Sequence, residues 1–171
     1  MPITTPYVFT AGDDATSTRL NTRSSAIAEL QSPPRCHAFQ AAAQSIPNGA
    51  ATAVLLDTEQ VDTDGIHSTA VNTSRMTIVT PGRYRCIAQA SFTSNATGRR
   101  EVQLTRNGSL IAIQRLPTVS GSNTNIQVTN EILCVAGDYI EMVVEQNSGG
   151  ALNMNTGSNG TYLHVAWVGL V

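Results

Sequence analysis

The segment Met76–Phe92, MTIVTPGRYRCIAQASF, constrains the fold more than any other part of the chain. After Pro81-Gly82, the residues Tyr84, Cys86, Ala88, Ala90 and Phe92 share one phase of a two-residue alternation. Arg85, Gln89 and Ser91 occupy the other phase, with Ile87 as the apolar exception. Successive side chains leave a strand on opposite sides, so this period belongs to a strand with one buried face and one wet face. Such a strand needs an apolar layer opposite it, and the surrounding sequence offers further strands to supply that layer.

Those strands recur at regular intervals from Cys36 onward. Strand signals fall near His37–Gln44, Ala51–Leu56, Ser74–Ile78, Gly82–Phe92, Arg100–Arg106, Ser109–Leu116, Asn125–Val135, Tyr139–Gln146 and Thr161–Val171. Asn107-Gly108 predicts a two-residue hairpin, because both residues tolerate positive φ. Ala136-Gly137-Asp138 predicts a turn into YIEMVVE, where Ile140, Met142 and Val144 share a face. The nearly all-apolar YLHVAWVGLV predicts a strand placed centrally and buried between sheets. Val54–Gly65 reads as a short apolar run followed by an acidic loop. The fold class expected is all-β, a jelly-roll β-sandwich, with Tyr84, Phe92 and Trp167 in the core.

The chain divides near Pro33-Pro34, into an N-terminal arm and helix (residues 1–35) and a β domain (residues 36–171). Ile3–Thr10 is β-rich but interrupted by Pro6, which suits an edge strand or an arm laid on a partner. Asp14, Thr16 or Ser17 can cap a helix that runs to about Gln31, where the two prolines stop it. Leu20, Ile27 and Leu30 share one face of that helix, with Ala26 beside them. The stripe is about one and a half heptads long, too short for a free-standing coiled coil, so the helix requires a partner.

Four elements of the β domain, taken in order, resemble the globular head of complement component C-one-q and the tumour necrosis factor-like jelly rolls. They are VLLDTEQVDTDG followed by MTIVTPGRYRCIAQASF, the hairpin VQLTRNG, the strand LCVAGDYIEMVV, and the final YLHVAWVGLV. Together they span Cys36–Val171. The chain departs from the family pattern in its low aromatic content, 5%, and Arg106 stands where the family commonly has lysine. The resemblance implies a homotrimer of jelly rolls that binds ligands at its outer surface, and it implies no enzymatic activity. A looser resemblance links YVFTAGDDATSTRLNTRSSAIAEL to the adaptor segments that open many bacteriophage tail, fibre and head-decoration proteins. It implies attachment or oligomerisation through Tyr7, Phe9, Leu20, Ile27 and Leu30.

Composition excludes several other classes of function. Charged residues are only 13% of the chain and the net charge is -2, so there is no basic stripe with which to displace counterions from nucleic acid. No apolar run approaches the roughly 18 residues of a membrane span, and no secretory leader is evident. All 10 cationic residues are Arg. That reads either as a preference for forked hydrogen bonds or as the codon bias of a GC-rich genome. Cys36, Cys86 and Cys134 are odd in number and far apart, as expected of buried free thiols. Asp57, Asp62 and Asp64 are weak metal candidates within an acidic loop that lacks the distal bidentate glutamate of a calcium hand. His37, His67 and His164 are scattered, and His164 is expected as a hydrogen-bonded core or interface residue. Arg99-Arg100 reads as a contact for an acidic partner or as a solvated hairpin end. No nucleophile elbow, zinc-protease motif or phosphate loop occurs, and no cofactor is expected. The four N-x-S/T sequons, at Asn72, Asn95, Asn107 and Asn159, are ordinary for so Asn/Ser/Thr-rich a chain.

These readings converge on a non-enzymatic structural protein on a virion surface, made in the host cytoplasm. The expected form is a trimeric knob of minor tail, tail-tip or fibre type, with tail proteins and a host cell-surface glycan as expected partners. The alternatives are a capsid decoration protein held by capsid proteins, and a cellular ligand- or carbohydrate-binding module that uses the loops near Ser120–Asn125 and Asn147–Gly160.

Overall fold

The computed structural model describes residues 6–118 and 120–170, apart from the side chains of residues 28 and 29. Helix α1 (Ser17–Gln31) comes first. The strands follow as β1 (Arg35–Phe39), β2 (Ser45–Ile46), β3 (Thr52–Ala53), β4 (Thr58–Asp62), β5 (Arg75–Thr77) and β6 (Gly82–Phe92). After them come β7 (Arg99–Arg106), β8 (Ser109–Pro117), β9 (Thr124–Cys134), β10 (Tyr139–Gln146), β11 (Leu152–Asn153) and β12 (Tyr162–Gly169). The first sheet has the order β4-β1-β12-β6-β9. The second has the order β3-β10-β7-β8, with β5 also pairing β10. β2 and β11 form a small ribbon. The two layered sheets are the expected all-β sandwich.

β6 fulfils the alternation that its sequence announces. Tyr84, Cys86, Ala88, Ala90 and Phe92 are buried between the sheets, beside Cys36, Ala38, Leu163 and Val165 of β1 and β12. Val102, Leu104, Ile140, Met142 and Val144 close the core from the second sheet. Ser91 is a correction, since it is buried rather than wet. Its Oγ accepts from Asn155 Nδ2 (3.0 Å), and its amide donates to Thr161 Oγ1 (3.2 Å). The Tyr84 hydroxyl donates to the Thr80 carbonyl at 2.6 Å, giving the one polar atom on this large core ring a partner. All three thiols are free and buried, and burial pushes the Cys86 thiol up to about 12 and Cys134 up to about 11.

The Pro81-Gly82 step has a steric purpose. A Cβ on Gly82 would overlap the indole Nε1 of Trp167 and stand 2.8 Å from the Gly169 carbonyl. Its φ of 152° is also one that L side chains rarely adopt. Trp167 is partly buried and packs against the core edge rather than lying within it, which corrects its expected central place.

The Asn107-Gly108 hairpin forms as predicted, with φ of 51° and 77°. Asn107 then reaches the Gly137-Asp138 turn: its Nδ2 donates to Asp138 Oδ1 at 2.7 Å, and its Oδ1 accepts from the Tyr139 amide at 2.9 Å. Asp138 Oδ2 accepts from the Val135 amide at 3.0 Å. That bond, backed by the Asn107 amide and Arg106, holds the Asp138 carboxyl below the usual range.

Several element expectations need correction. Thr58–Asp62, read as loop, is an edge strand on β1, because its backbone finds a ladder although its side chains are polar. Only Thr52–Ala53 of the expected strand Ala51–Leu56 pairs. β1 ends at Phe39 rather than continuing to Gln44. β12 is central, as predicted, but its burial alternates rather than covering both faces. Val171 and Ile3–Thr5 lie outside the described residues. Pro6–Thr10 forms no strand.

Arg100 is fully buried, in phase with Val102 and Leu104, so neither expectation for Arg99-Arg100 holds for it. Its guanidinium lies 5.8 Å from the Phe92 ring centroid. It donates to the carbonyls of Asn95, Thr97 and Arg99, each at 3.0 Å, and so ties down the loop before β7. Arg99 does reach solvent, where it meets Glu145 at 3.2 Å.

Two outcomes test this account. Gly82→Ala is expected to cost on the order of 2–3 kcal/mol in urea unfolding, since the Trp167 side chain must move. A variant as stable as the parent would show that the indole has room to spare. Arg100→Met keeps an apolar stem but takes the guanidinium bonds from the Asn95, Thr97 and Arg99 carbonyls, of which Arg99 keeps the Asn147 amide. It is expected to lose about 3 kcal/mol and to open residues 93–98 to limited proteolysis.

Candidate functional site

The outward face of the first sheet is built in rows by the strand register. One row runs Phe39, Tyr162, Gln89, Gln127. The next runs Val61, His37, His164, Ile87, Thr129, and the third runs Arg35, Ala166, Arg85, Glu131. The central positions on β1 and β12 thus carry aromatic and imidazole rings, while charge stays in the third row. His37 stacks on Tyr162 with ring centroids 4.8 Å apart, and lies 5.6 Å from His164. Gln127 Nε2 donates to the Tyr162 hydroxyl (3.0 Å), and Gln89 Nε2 donates to the carbonyls of Asn159 (2.8 Å) and Gly160 (3.0 Å). The loop Asn155–Gly160 is thereby drawn against this face, where the Ser158 backbone also hydrogen-bonds His37.

His37 and His164 are half-buried yet poorly satisfied. His37 Nε2 and His164 Nδ1 are both shielded from solvent and have no hydrogen-bond partner among the described residues. The expectation of a hydrogen-bonded His164 therefore fails at that nitrogen. The register brings together two histidines that looked scattered. The available signal was their phase: each sits between core-facing neighbours, Cys36 and Ala38 or Leu163 and Val165.

The outward face of the second sheet has different chemistry. Arg75 pairs with Glu141 at 3.2 Å and lies 4.1 Å from the Tyr139 ring centroid. Arg99 and Arg115 both serve Glu101, with Gln103 as a further donor. Burial alone would raise the Glu101 carboxyl, yet these donors hold it below the ordinary range. Charges on this face are matched within the protomer and leave little unspent.

The acidic metal candidates do not converge. Asp57 accepts from the amides of Ala41 (2.6 Å) and Ala42 (2.8 Å), and so ties the turn after β1. Burial alone would raise its carboxyl, but these bonds and the Thr58 hydroxyl hold it below the usual range. Asp62, at the other end of β4, accepts from the amides of Asp64 (3.2 Å), Ile66 (3.0 Å) and His67 (2.9 Å). His67 Nδ1 meets Glu59 Oε1 at 2.8 Å, and its Nε2 meets the Thr73 carbonyl at 3.1 Å. Among the described residues, no three His, Cys, Asp or Glu side chains group as metal ligands. These carboxylates act as backbone staples, Asp57 for the turn after β1 and Asp62 for residues 64–67, a role that depends on which amides lack partners and so leaves no mark in composition.

The arm and helix form a second surface. Thr16 caps α1, its Oγ1 accepting from the Arg19 amide at 3.4 Å. Tyr7 and Phe9 meet edge to face at 5.0 Å and fold back onto the helix. Arg19 lies 4.5 Å from the Tyr7 ring centroid, and Arg23 lies 5.7 Å from that of Phe9. The Tyr7 hydroxyl donates to Asp13 Oδ2 at 2.8 Å. The two aromatics are therefore engaged with their own helix, whereas Leu20, Ile27 and Leu30 remain 48%, 57% and 63% exposed. No helix among the described residues is long and apolar enough to cross a membrane.

Comparison with known proteins shows the fold. No family model and no curated protein matches the chain. Among solved structures, it is similar to the globular domain of zebrafish complement 1qA protein, with TM-score 0.59 and 12% identity over 81% of this chain and 99% of that one. It is also similar to murine APRIL at pH 8.0, with TM-score 0.63 and 12% identity over 79% of this chain and 98% of that one. A third likeness is Eiger TNF from S. frugiperda, with TM-score 0.59 and 10% identity over 81% of this chain and 95% of that one. The architecture of this chain is the jelly roll seen in complement heads and tumour necrosis factor ligands.

Proposed function

We propose that this chain is a non-enzymatic structural protein on the surface of a bacteriophage particle. The jelly roll, residues 36–171, assembles as a homotrimer through the outward face of its first sheet. The arm and α1 attach that knob to the particle. The working form is a minor tail or tail-tip protein of fibre type. Its exposed loops are then available to a host-surface glycan.

The contrast between the two outward faces carries the assembly reading. Subunit contacts favour aromatic centres with charge at the rim. The first sheet offers Phe39, Tyr162, His37, His164 and Ile87 at its centre, with Arg35, Arg85 and Glu131 to one side. The second sheet is laced with internal ion pairs and gives a partner little to bury. The stripe of Leu20, Ile27 and Leu30 supports the attachment role, because these three apolar side chains stay exposed on the helix.

The same compact knob and clamp also suit a capsid decoration protein, and the site of attachment distinguishes the two. Antibody labelling of intact virions separates head from tail, while a chain absent from purified virions would refute both and favour a cellular binding module. Deleting Met1–Ser32 is expected to leave a cooperative thermal transition in the β domain and to abolish incorporation into particles. Loss of the transition would refute the division into two parts. Ile87→Arg is expected to convert a sedimenting trimer to monomer with little change in melting temperature, since the side chain is only half-buried in the protomer. A trimer that tolerates this arginine would place the contact elsewhere.

A further inference from the structure

The first sheet carries a pair of ionisable rings whose hydrogen-bonding capacity the fold leaves partly unmet. His37 on β1 and His164 on β12 stand directly opposite one another in register. They come from the first and last strands of the first sheet in chain order. Each has a nitrogen shielded from water with no partner among the described residues, namely His37 Nε2 and His164 Nδ1. Their rings are 5.6 Å apart, and the Ser158 loop and the Tyr162 ring confine His37 further. A neutral imidazole tolerates such a place, but two imidazolium ions do not.

The groups around the pair offer no anionic relief. On β1 the next charged residue facing outward is Arg35, and on β12 the neighbour is the neutral phenol Tyr162. β4 presents Val61 opposite His37, with Glu59 held by His67 and Asp62 held by backbone amides. β6 presents Ile87 beside His164, while Arg85 one row away is paired with Glu131 of β9 at 3.3 Å. The loop Asn155–Gly160 brings no titratable group. The first proton taken up by the pair therefore meets Arg35 rather than a carboxylate, and the second meets Arg35 and an imidazolium.

We propose that His37 and His164 form an acid-sensitive latch, which keeps copies of this chain joined through the first sheet while both rings are neutral and releases them on proton uptake. The inference rests on the assembly reading above, since the latch acts at that face. Burial places both imidazoles below their ordinary value; for His37 it outweighs the Ser158 backbone bond, which acts the other way, and for His164 the charges of His37 and Arg35 act in the same direction as burial. For a histidine with a depressed value, the folded and assembled state binds fewer protons than the free chain. Its stabilisation is thus complete above about pH 6.5 and is lost as pH falls below that. Covering the face with another subunit removes more water and steepens the response.

The experiment is sedimentation velocity of the full chain at pH 7.5 and pH 5.0, beside the double variant His37→Gln, His164→Gln, which cannot take up these protons. His67 is present in both proteins, so the comparison isolates the pair. The expected result is a parent assembly weakened at least tenfold at pH 5.0 and a variant assembly that ignores the change. A parent assembly equally tight at both pH values overturns the latch, as does a variant that dissociates in acid to the same extent. A parent that is monomeric at pH 7.5 refutes the assembly reading and with it the release of subunits. The proton response of the protomer is then read separately, as the fall in melting temperature between the two pH values. Should the double variant fail to fold, NMR titration of the parent's histidine ring protons decides. Two rings titrating below about 6.5 support the latch, and two titrating at the ordinary value overturn it.

Discussion

Gly82 and Trp167 occupy space that a single methyl group would fill, and this contact sets β6 against β12. Everything that distinguishes inside from outside follows from that register. A slip of one residue would turn Tyr84, Cys86, Ala88 and Ala90 outward and bring Arg83, Arg85 and Gln89 into the core. The same register places Ile87 beside His164 and Gln89 beside Tyr162, so it also composes the outward face. The core and the candidate contact surface are thus two sides of one alignment.

The parts legible in the sequence are those whose chemistry is local. The alternation of β6 is visible because polar residues, with Ile87 the exception, separate its core positions. The Asn107-Gly108 hairpin is visible because few residue pairs tolerate its two positive φ angles. The edge strand β4 is not visible in TEQVD, because neither of its faces is consistently apolar and its place depends on pairing with β1. Arg100 carried a usable signal, since it falls in phase with Val102 and Leu104, but an arginine in a core phase reads as an exception until its carbonyl partners are seen. The histidine pair was half legible. Phase turns each ring outward, but only the pairing of β1 with β12 makes them neighbours.

The two sheets put their surface polarity to opposite uses. On the second sheet, arginines and glutamates are matched on adjacent strands, which gives solubility and little reason to associate. On the first sheet, amides and rings bond to one another and to the loop Asn155–Gly160, leaving flat, weakly charged area at the centre. The scarcity of lysine bears on the same economy. Four arginines, Arg19, Arg23, Arg75 and Arg100, lie over aromatic rings, an arrangement that a planar guanidinium makes more readily than an ammonium. A chain with only 5% aromatic residues therefore has half of its eight rings covered by a cation.

The central strand of the first sheet is also the last of its five strands in chain order. Until β12 exists, β1 has only β4 beside it and β6 has only β9, and the two pairs have no ladder between them. The outward face on which Tyr162 and His164 lie is consequently absent from every shorter nascent chain. Synthesis itself then orders the events, because closure of the first sheet waits for β12. A growing chain therefore cannot present Tyr162 and His164 on a completed sheet before β12 has been added.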